Sequence, residues 1–215
     1  ISGAGSGTGA LLNLANSNSI SRLVTLGGAS TVGSTLGTLT FDVSSGNAFE
    51  GAYALTVDAN TGDVAVADPI ATSTGTLTKS GSGTLTLSAA NTYTGATTIS
   101  TGVVAISNNT ALGTTAAATT VASDATLSIS GGLTAMAEAL TVSGDGVTVS
   151  SAEVGAIRST SGSNTLTGLV TLAAAAEVQA DAGTLTFDVS SGNAFEGAYA
   201  LTVDANTGDV TVADP

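Results

Sequence analysis

The sequence of 215 residues contains no cysteine, no histidine and no tryptophan, and only three of its residues are basic. Without cysteine and histidine the chain has no thiol nucleophile, no imidazole base, no zinc finger and no disulfide framework. The net charge is -13, so Arg22, Lys79 and Arg158 cannot neutralise a nucleic-acid backbone. These absences exclude several classes of enzyme and predict that nucleic acid is not a partner.

Charged residues are scarce as well, at 9% of the chain against the usual quarter, whereas hydrophobic residues make up 42%. A helical bundle needs many charged residues on its solvent face, so this composition favours a β-protein. The chain begins at Ile1 without a signal sequence, and no apolar run approaches the roughly 18 residues that cross a bilayer. We therefore expect a segment of a longer protein that contributes no membrane span.

A long internal repeat dominates the sequence. Residues 37–69 recur as residues 183–215 with a single difference, in which Ala65 corresponds to Thr211. The offset between the two copies is 146 residues. Because a repeat of this kind is typical of a fold that stacks similar units, it takes precedence over any local prediction of secondary structure.

Short strands with alternating side chains lie within this repeat. Along residues 38–43, the apolar Leu39, Phe41 and Val43 fall on one face of a strand, and the polar residues fall on the other. Similar segments recur at spacings of mostly about 13 to 22 residues, which suits the coils of a solenoid. Clusters of Gly, Asn, Asp and Ser separate the segments and mark corners.

Two all-β architectures accommodate such strands. A β-sandwich needs hairpins and stops after about seven to nine strands, whereas a solenoid can continue from one repeat into the next. The repeat therefore predicts a continuous β-solenoid over residues 1–215, with about 16–22 residues per coil and about 11 coils. We expect one full unit at residues 1–146 and the start of the next at residues 147–215.

One segment of the chain resembles a known repeat. Residues 78–113 are TKSGSGTLTLSAANTYTGATTISTGVVAISNNTALG, which resembles the autotransporter-associated β-strand repeat. Ala90 and Ala96 stand where that repeat has glycine. The matching positions are Gly83, Thr84, Leu85, Leu87, Asn91, Tyr93, Gly95, Thr98, Ile99, Gly102, Ala111, Leu112 and Gly113.

The segments on either side are similar to those of giant bacterial β-strand-repeat, haemagglutinin-like surface proteins. The segment concerned is YALTVDANTGDV, at residues 53–64 and again at 199–210. The resemblance implies a right-handed parallel β-helix. It also implies export across the outer membrane of a Gram-negative-type bacterium, and an adhesive or spacer role outside the cell.

The repeated block contains a loop rich in oxygen ligands. Asp58, Asn60 and Asp63 recur as Asp204, Asn206 and Asp209. The loop is not an EF-hand, because its fifth position is Gly62 and its twelfth is Pro69. We expect a corner turn in which the side chains bind their own backbone. The alternative interpretation is a Ca²⁺ site at these residues, shared between neighbouring coils, and no other cofactor is expected.

Paired carboxylates do not indicate an enzyme here. A glycosidase or lyase site needs two acids with different pKa values that converge on one cleft, usually beside a basic side chain. The chain has three basic residues, and the acids of its repeated block recur at the offset of the repeat. We therefore expect no catalytic activity and no catalytic residue.

The aromatic residues and the alanine-rich segments lead to further local expectations. Phe41 is expected in the core, whereas Phe49 and Tyr53 are expected to clamp a protruding loop onto the coil. Residues 133–140, LTAMAEAL, and the alanine runs at 116–118 and 173–176 fit either a helical turn or a bend of the coil.

The sequence thus predicts a structural or adhesive segment of a long bacterial surface filament or adhesin, which acts as a stiff stalk. One alternative is a ligand-binding adhesin module that grips a glycan or a partner cell, with or without Ca²⁺. Another is a unit that assembles laterally in a sheath or surface layer. The expected partners are adjacent repeat units of the same chain, and self-association into fibres or contact with other cell surfaces is a further candidate.

Overall fold

Short strands with one buried face build this protein. A computed structural model describes residues 1–5 and 9–214, and in those residues the chain is all-β with no helix. Parallel strands stack as a β-solenoid of about 9 turns, so the predicted parallel β-solenoid is confirmed. Residues 6–8 of the predicted first unit, and Pro215 at the end of the predicted copy, lie outside the described residues.

The strands are short, and most contain two to five residues. In chain order they are β1 (Leu11–Asn13), β2 (Asn18–Ile20), β3 (Val24–Thr25), β4 (Ser30–Ser34), β5 (Thr38–Phe41), β6 (Phe49–Glu50), β7 (Leu55–Ala59), β8 (Asp63–Val66), β9 (Ile70–Ala71), β10 (Leu77–Ser80), β11 (Thr84–Leu87), β12 (Thr97–Ile99), β13 (Gly102–Ile106), β14 (Thr119–Val121), β15 (Ala125–Ile129), β16 (Leu140–Gly144), β17 (Thr148–Val149), β18 (Ala152–Glu153), β19 (Ile157–Ser159), β20 (Ser163–Leu166), β21 (Val170–Ala180), β22 (Thr184–Phe187), β23 (Phe195–Glu196), β24 (Leu201–Asp204) and β25 (Asp209–Val212).

Hydrogen-bonded ladders join these strands into three sides, and the chain visits them in the order I, II, III. Side I holds β1, β4, β7, β10, β12, β14, β16, the start of β21, and β23. Side II holds β2, β5, β8, β11, β13, β15, β19, the end of β21, and β24. Side III holds β3, β6 and β9 and, beyond a bridge between Met136 and Leu166, β20, β22 and β25.

The core is a stack of inward side chains from all three sides. In β5, Leu39 and Phe41 are buried while Thr38 and Thr40 are half-buried, which is the predicted alternation. Phe41 lies in register with a valine of the next coil, and a leucine follows in the coil after that. Because each coil covers the apolar face of its neighbour, burial of these ladders provides the main stabilisation of the fold.

The coils are more variable in length than the sequence spacing predicts. The length of a coil is the chain separation between register partners on one side. Leu87 pairs with Ile106, which is a short coil, whereas Val142 pairs with Leu172, which is a much longer one. The predicted range of coil lengths is therefore too narrow, and the structure has about 9 turns, fewer than predicted. The recurring leucines mark strands on different sides of one coil as well as strands of successive coils, which shortens the period inferred from them.

The structure corrects one local prediction and decides between the two alternatives for residues 133–140 and 173–176. Phe49 is fully buried, and its ring centroid is 4.6 Å from that of Phe41, so it belongs to the core and does not clamp an external loop. Tyr53 is 45% exposed. Residues 133–140 form no helix and lead into β16, while residues 173–176 continue β21 around a corner. Of the two open alternatives for these segments, the structure shows the bend.

Strand registers recur with the same offset as the sequence. Asn18 pairs with Leu39, and Asn164 pairs with Leu185. Three further pairs of register partners recur at the same offset. They are Leu11–Val32 and its copy Ile157–Val178, Val24–Phe49 and its copy Val170–Phe195, and Ser30–Leu55 and its copy Ala176–Leu201. The structural similarity thus extends to residues where sequence identity has faded.

The second copy does not return to the same side of the solenoid. Val32 lies on side I, whereas its equivalent Val178 lies on side II. Between them, side I passes through six turns, at Val57, Lys79, Ile99, Val121, Val142 and Leu172. The offset between the copies therefore corresponds to six turns and one additional side.

Candidate functional site

The predicted Ca²⁺ loop forms a corner between side I and side II, which we call the first edge. The Asp63 carboxylate accepts a hydrogen bond of 2.8 Å from the backbone N–H of Thr84 in the next coil. The Asn60 carbonyl accepts from the backbone N–H of Ser82 at 2.8 Å and from its hydroxyl at 2.6 Å. In the first copy, these loop residues therefore hold one coil on another.

The second copy of the loop shows the expected turn. Asp204 accepts a hydrogen bond of 2.8 Å from the backbone N–H of Asn206, as in an Asx turn. Within residues 1–5 and 9–214, no group of three or more Asp and Glu side chains is placed to hold a metal ion. Each loop offers two carboxylates and one amide, and Ca²⁺ binding there stays a prediction.

A buried lysine lies beneath the first edge. Lys79 is fully buried, and its Nζ donates to the carbonyl oxygens of Ser80 at 2.8 Å, Gly81 at 2.7 Å and Thr101 at 3.2 Å. Burial lowers the pKa of Lys79 to about 8, and the nearby carboxylates of Asp58 and Asp63 oppose this effect. The amine thus satisfies carbonyl groups that point inward at the corner, which is a structural role.

A second buried ionisable group lies further along the solenoid. Glu138 is buried and accepts a hydrogen bond of 2.8 Å from the Thr119 hydroxyl. Burial raises the pKa of Glu138 to about 7, and the bond from Thr119 opposes this. In the neighbouring coil, the Tyr93 hydroxyl lies 2.7 Å from that of Thr97, and burial raises the pKa of Tyr93. Each group has one threonine hydroxyl as its side-chain hydrogen-bond partner, and the Glu138 carboxylate adds to the raised pKa of Tyr93.

The coil between β16 and β19 carries a projecting hairpin. Strands β17 and β18 pair antiparallel, and both residues of the turn, Ser150 and Ser151, have positive φ angles of 51° and 69°. Positive φ at both central residues is the requirement of a type I′ hairpin turn. The hairpin explains why this coil is longer than the preceding ones, and the Asp145–Gly146 pair is the sequence signal that precedes it.

The base of the hairpin is fastened by one buried hydroxyl group. Thr126 is fully buried, and its Oγ1 donates to the Gly155 carbonyl at 2.9 Å and accepts from the Val147 N–H at 3.0 Å. The Gly155 N–H donates to the Asp145 carbonyl at 2.8 Å. Since both ends of the hairpin are fixed to the same point, it forms a defined wall beside the first edge.

A groove of about 360 Å³ lies between this wall and the first edge. Its floor contains Ser82, Thr101 and Asp124, one from each of three successive coils, together with Gly102. Its wall contains Gly146, Val147 and Thr148. The sequence alone does not indicate this groove, because the turn residues of separate coils approach the hairpin only once the coils are stacked.

Carboxylates also gather on the outer surface around Glu177 of β21. Burial raises the pKa of Glu177, and the carboxylates of Asp145, Asp204 and Glu153 raise it further. The nearby cation Arg158 forms an ion pair of 2.6 Å with Asp181. The described part of the chain therefore brings several acids together without a free basic partner.

One segment of the chain, outside the two copies at residues 37–69 and 183–215, matches a known family of repeats. Residues 77–106 match the Passenger-associated-transport-repeat family, a repeat of autotransporter passengers. The matched segment begins at the first residue of β10 and ends at the last residue of β13, so it covers one coil and the strand pair that follows. No curated protein and no solved structure shows a significant match.

The resemblance inferred from residues 78–113 is thereby confirmed at the level of the family. The described residues contain no helix long and apolar enough to cross a membrane. The repeat family and the β-solenoid together indicate a passenger region on the outer surface of a bacterium. Strands β10 to β13 thus form a passenger-associated transport repeat within a parallel β-solenoid.

Proposed function

We propose that this chain is a stiff, non-enzymatic stalk segment of a passenger protein on the surface of a Gram-negative-type bacterium. It holds a contact module away from the cell and needs no cofactor to do so. The observation that carries this proposal is the stack of about 9 turns, in which hydrogen-bonded ladders follow sides I and II along the stack and side III joins coils near its two ends. Such a stack resists bending because bending opens the hydrogen bonds of a whole side.

The offset between the two copies supports a stalk over a lateral-assembly unit. Ser190 and Asn193, on the loop after β22, are copies of Ser44 and Asn47, on the loop after β5, but the two loops leave different sides of the solenoid. A sheath or surface layer needs the same contact to face the same neighbour in each unit. A unit that advances by one extra side presents its copied surface to a different direction each time.

The proposal is tested by the length of tandem versions of the chain. Proteins that contain one, two or three copies of residues 1–146 ahead of residues 147–215 are compared by small-angle scattering and electron microscopy. At about 4.8 Å per turn, six turns and one side add about 30 Å to the rod with each unit. The expected result is a linear increase in the longest dimension, unchanged by EDTA.

A longest dimension that grows as for a compact globule contradicts the stalk. Shortening or bending of the rod on addition of EDTA contradicts the proposal that no metal is needed. In that case the loop residues Asp58, Asn60 and Asp63 are the first candidates for Ca²⁺ ligands, with their copies Asp204, Asn206 and Asp209. Ordered side-by-side packing of the longer proteins in micrographs contradicts the preference for a stalk over a sheath.

A further inference from the structure

We propose that the groove beside the hairpin is a binding site for a neutral sugar chain that runs along the solenoid axis. The proposal deepens the passenger function, since it rests on the segment being exposed outside the cell. It assigns a ligand class to one groove of an otherwise repetitive stalk.

The groove is built by an element that the solenoid does not need. The coil from Val142 to its register partner Leu172 is longer than the coil from Leu87 to Ile106, and the excess includes the hairpin. Thr126 fixes both ends of that hairpin through its buried hydroxyl. A wall held this firmly is suited to a ligand because little ordering is required on binding.

The base of this wall is also tightly packed. Gly146 lies so close to the Gly155 backbone and the Thr126 hydroxyl that no Cβ fits there, and its φ is 84°. A glycine is therefore required where the chain turns from the solenoid into the hairpin. This close approach fixes the position of Val147 and Thr148 beside the floor of the groove.

The floor of the groove presents hydrogen-bond acceptors and few donors. The Ser82 hydroxyl donates its proton to the Asn60 carbonyl at 2.6 Å, and the Thr101 hydroxyl donates to the Gly81 carbonyl at 3.3 Å. A hydroxyl has one proton, so both oxygens offer only lone pairs to a ligand. The exposed carboxylate of Asp124 is an acceptor as well. The ligand must therefore supply the donors.

Sugar hydroxyl groups fit this requirement better than charged groups do. An anionic chain is repelled by Asp124 and by a protein whose net charge is -13. A cationic ligand would also donate to these acceptors, but the groove offers it a single carboxylate, Asp124, and an exposed ion pair contributes little to affinity. The wall adds the apolar side chain of Val147, which can pack against the C–H face of a sugar ring.

The spacing of the floor also favours a chain over a single small molecule. Ser82, Thr101 and Asp124 come from three successive coils, and stacked strands are about 4.8 Å apart. The polar groups therefore follow the axis at intervals similar to the length of one sugar ring in an extended chain. A ligand of two to three rings contacts one polar group in each coil.

The experiment measures fluorescence anisotropy with linear, neutral, fluorescein-labelled hexasaccharides of glucose, mannose and galactose. Labelled hexalysine and an oligogalacturonate serve as cationic and anionic probes. The expected result is binding of at least one neutral probe with Kd in the micromolar-to-millimolar range. Asp124→Ala should weaken it at least about tenfold, because a charged acceptor is lost, and Thr148→Trp should abolish it by filling the groove.

The matched control is Asp42→Ala, which removes an exposed carboxylate on another edge and should leave the affinity unchanged. Circular dichroism verifies that every variant keeps its β-structure. Three results overturn the proposal: no neutral probe binds, binding survives both groove substitutions, or hexalysine binds more tightly than every sugar. The rod length of the tandem proteins is measured independently, so failure of the groove is distinguishable from failure of the stalk.

Discussion

Lys79 shows how a single residue departs from the pattern of its ladder. Its register partners on side I are Val57 and Ile99, both fully buried, so the lysine occupies a position that other coils fill with an apolar side chain. The alternation in TLTK already places it inward. What the pattern does not reveal is that three corner carbonyls lie within reach of the amine and compensate for its burial.

We predict that Lys79 makes the stability of the protein depend on alkaline pH. Burial lowers its folded-state pKa to about 8, against 10.5 in the unfolded chain. Between these values the unfolded chain holds a proton that the folded chain has lost. The free energy of unfolding therefore rises with pH by up to about 1.4 kcal/mol per unit.

The measurement is urea unfolding of the wild type and Lys79→Met at pH 7, 8, 9 and 10, followed by circular dichroism. All other ionisable groups are common to the two proteins, so the difference between their stabilities isolates the lysine. The stability of the wild type relative to the variant should increase towards pH 10. Parallel curves for the two proteins would show that Lys79 titrates normally in the folded state.

Glu138 is predicted to have the opposite dependence in the acidic range. Its folded-state pKa of about 7 lies above the unfolded value of 4.5, so the folded chain holds the extra proton between these values. Its contribution is complete below pH 4.5 and is lost as the pH rises through 7. Glu138→Gln keeps an oxygen that accepts from Thr119 and cannot ionise.

The variant should therefore gain stability relative to the wild type as the pH increases from 4.5 to 8, with the two proteins most similar at the acidic end. Urea midpoints at four pH values test this. Asp42→Asn, at an exposed carboxylate, is the control and should follow the wild type throughout. A Glu138→Gln curve that also follows the wild type is the contrary outcome.

At the scale of strands, the repeated block provides two copies of one sequence in different surroundings. Val57 in β7 is fully buried because β10 of the next coil covers it, whereas its copy Val203 lies in β24, the last side II strand of the 215 residues, and is 48% exposed. Val66 and Val212 differ in the same way, at 2% and 46%. The burial of these strands is thus supplied by the neighbouring coil and not by their own sequence.

We predict that Val57→Ala lowers the free energy of unfolding by about 2 kcal/mol, through lost burial and the cavity left behind. Val203→Ala should change it by less than about 0.5 kcal/mol. The flanking sequences are identical, so local strand propensity cancels in the comparison. Urea unfolding monitored by circular dichroism gives both values. Equal effects would show that stacking by the neighbouring coil does not determine how much each valine contributes to the free energy of unfolding.

The type of element and the direction of its side chains were predictable from the sequence. The alternation of Leu39 and Phe41 with threonine identifies a half-buried strand, and the structure has this strand as β5. The passenger-type repeat was also predictable, because its glycines, Asn91 and Tyr93 have characteristic spacings within residues 78–113.

The coil length and the groove were not predictable in the same way. Alternation shows which side chains point inward but not on which of three sides a strand lies, so it does not distinguish Phe49 in the core from Phe49 in a loop. The hairpin contributes to a groove only because Ser82, Thr101 and Asp124 of earlier coils lie beneath it. That proximity depends on which residues of successive coils pair with each other, and no local sequence pattern gives this pairing.

On the scale of the whole molecule, each copy of the repeat is displaced by one side of the solenoid. This displacement determines the direction in which the copied loops face. The loop of Asn60 joins side I to side II, whereas the loop of Asn206 joins side II to side III. If the array continues with the same offset, a given loop faces its original direction again after three units. A stalk of this kind offers its repeated loops in three directions around its axis.

We predict that spin labels will reveal this rotation. The chain has no cysteine, so Asn60→Cys can be combined with either Asn206→Cys or Ala198→Cys without background labelling. Ala198 lies between β23 on side I and β24 on side II, on the same edge as Asn60 and six turns away. Six turns correspond to about 29 Å along the axis.

The distance from Asn60 to Ala198 should therefore be the shorter of the two, because Asn206 is displaced by one side around the rod in addition to a similar axial separation. Double electron–electron resonance measures both distances in frozen solution. If copies of the repeat were in phase with the turns, Asn206 would lie directly above Asn60, and the order of the two distances would be reversed. That reversed order would contradict the displacement by one side, and with it the argument that copied loops face different directions.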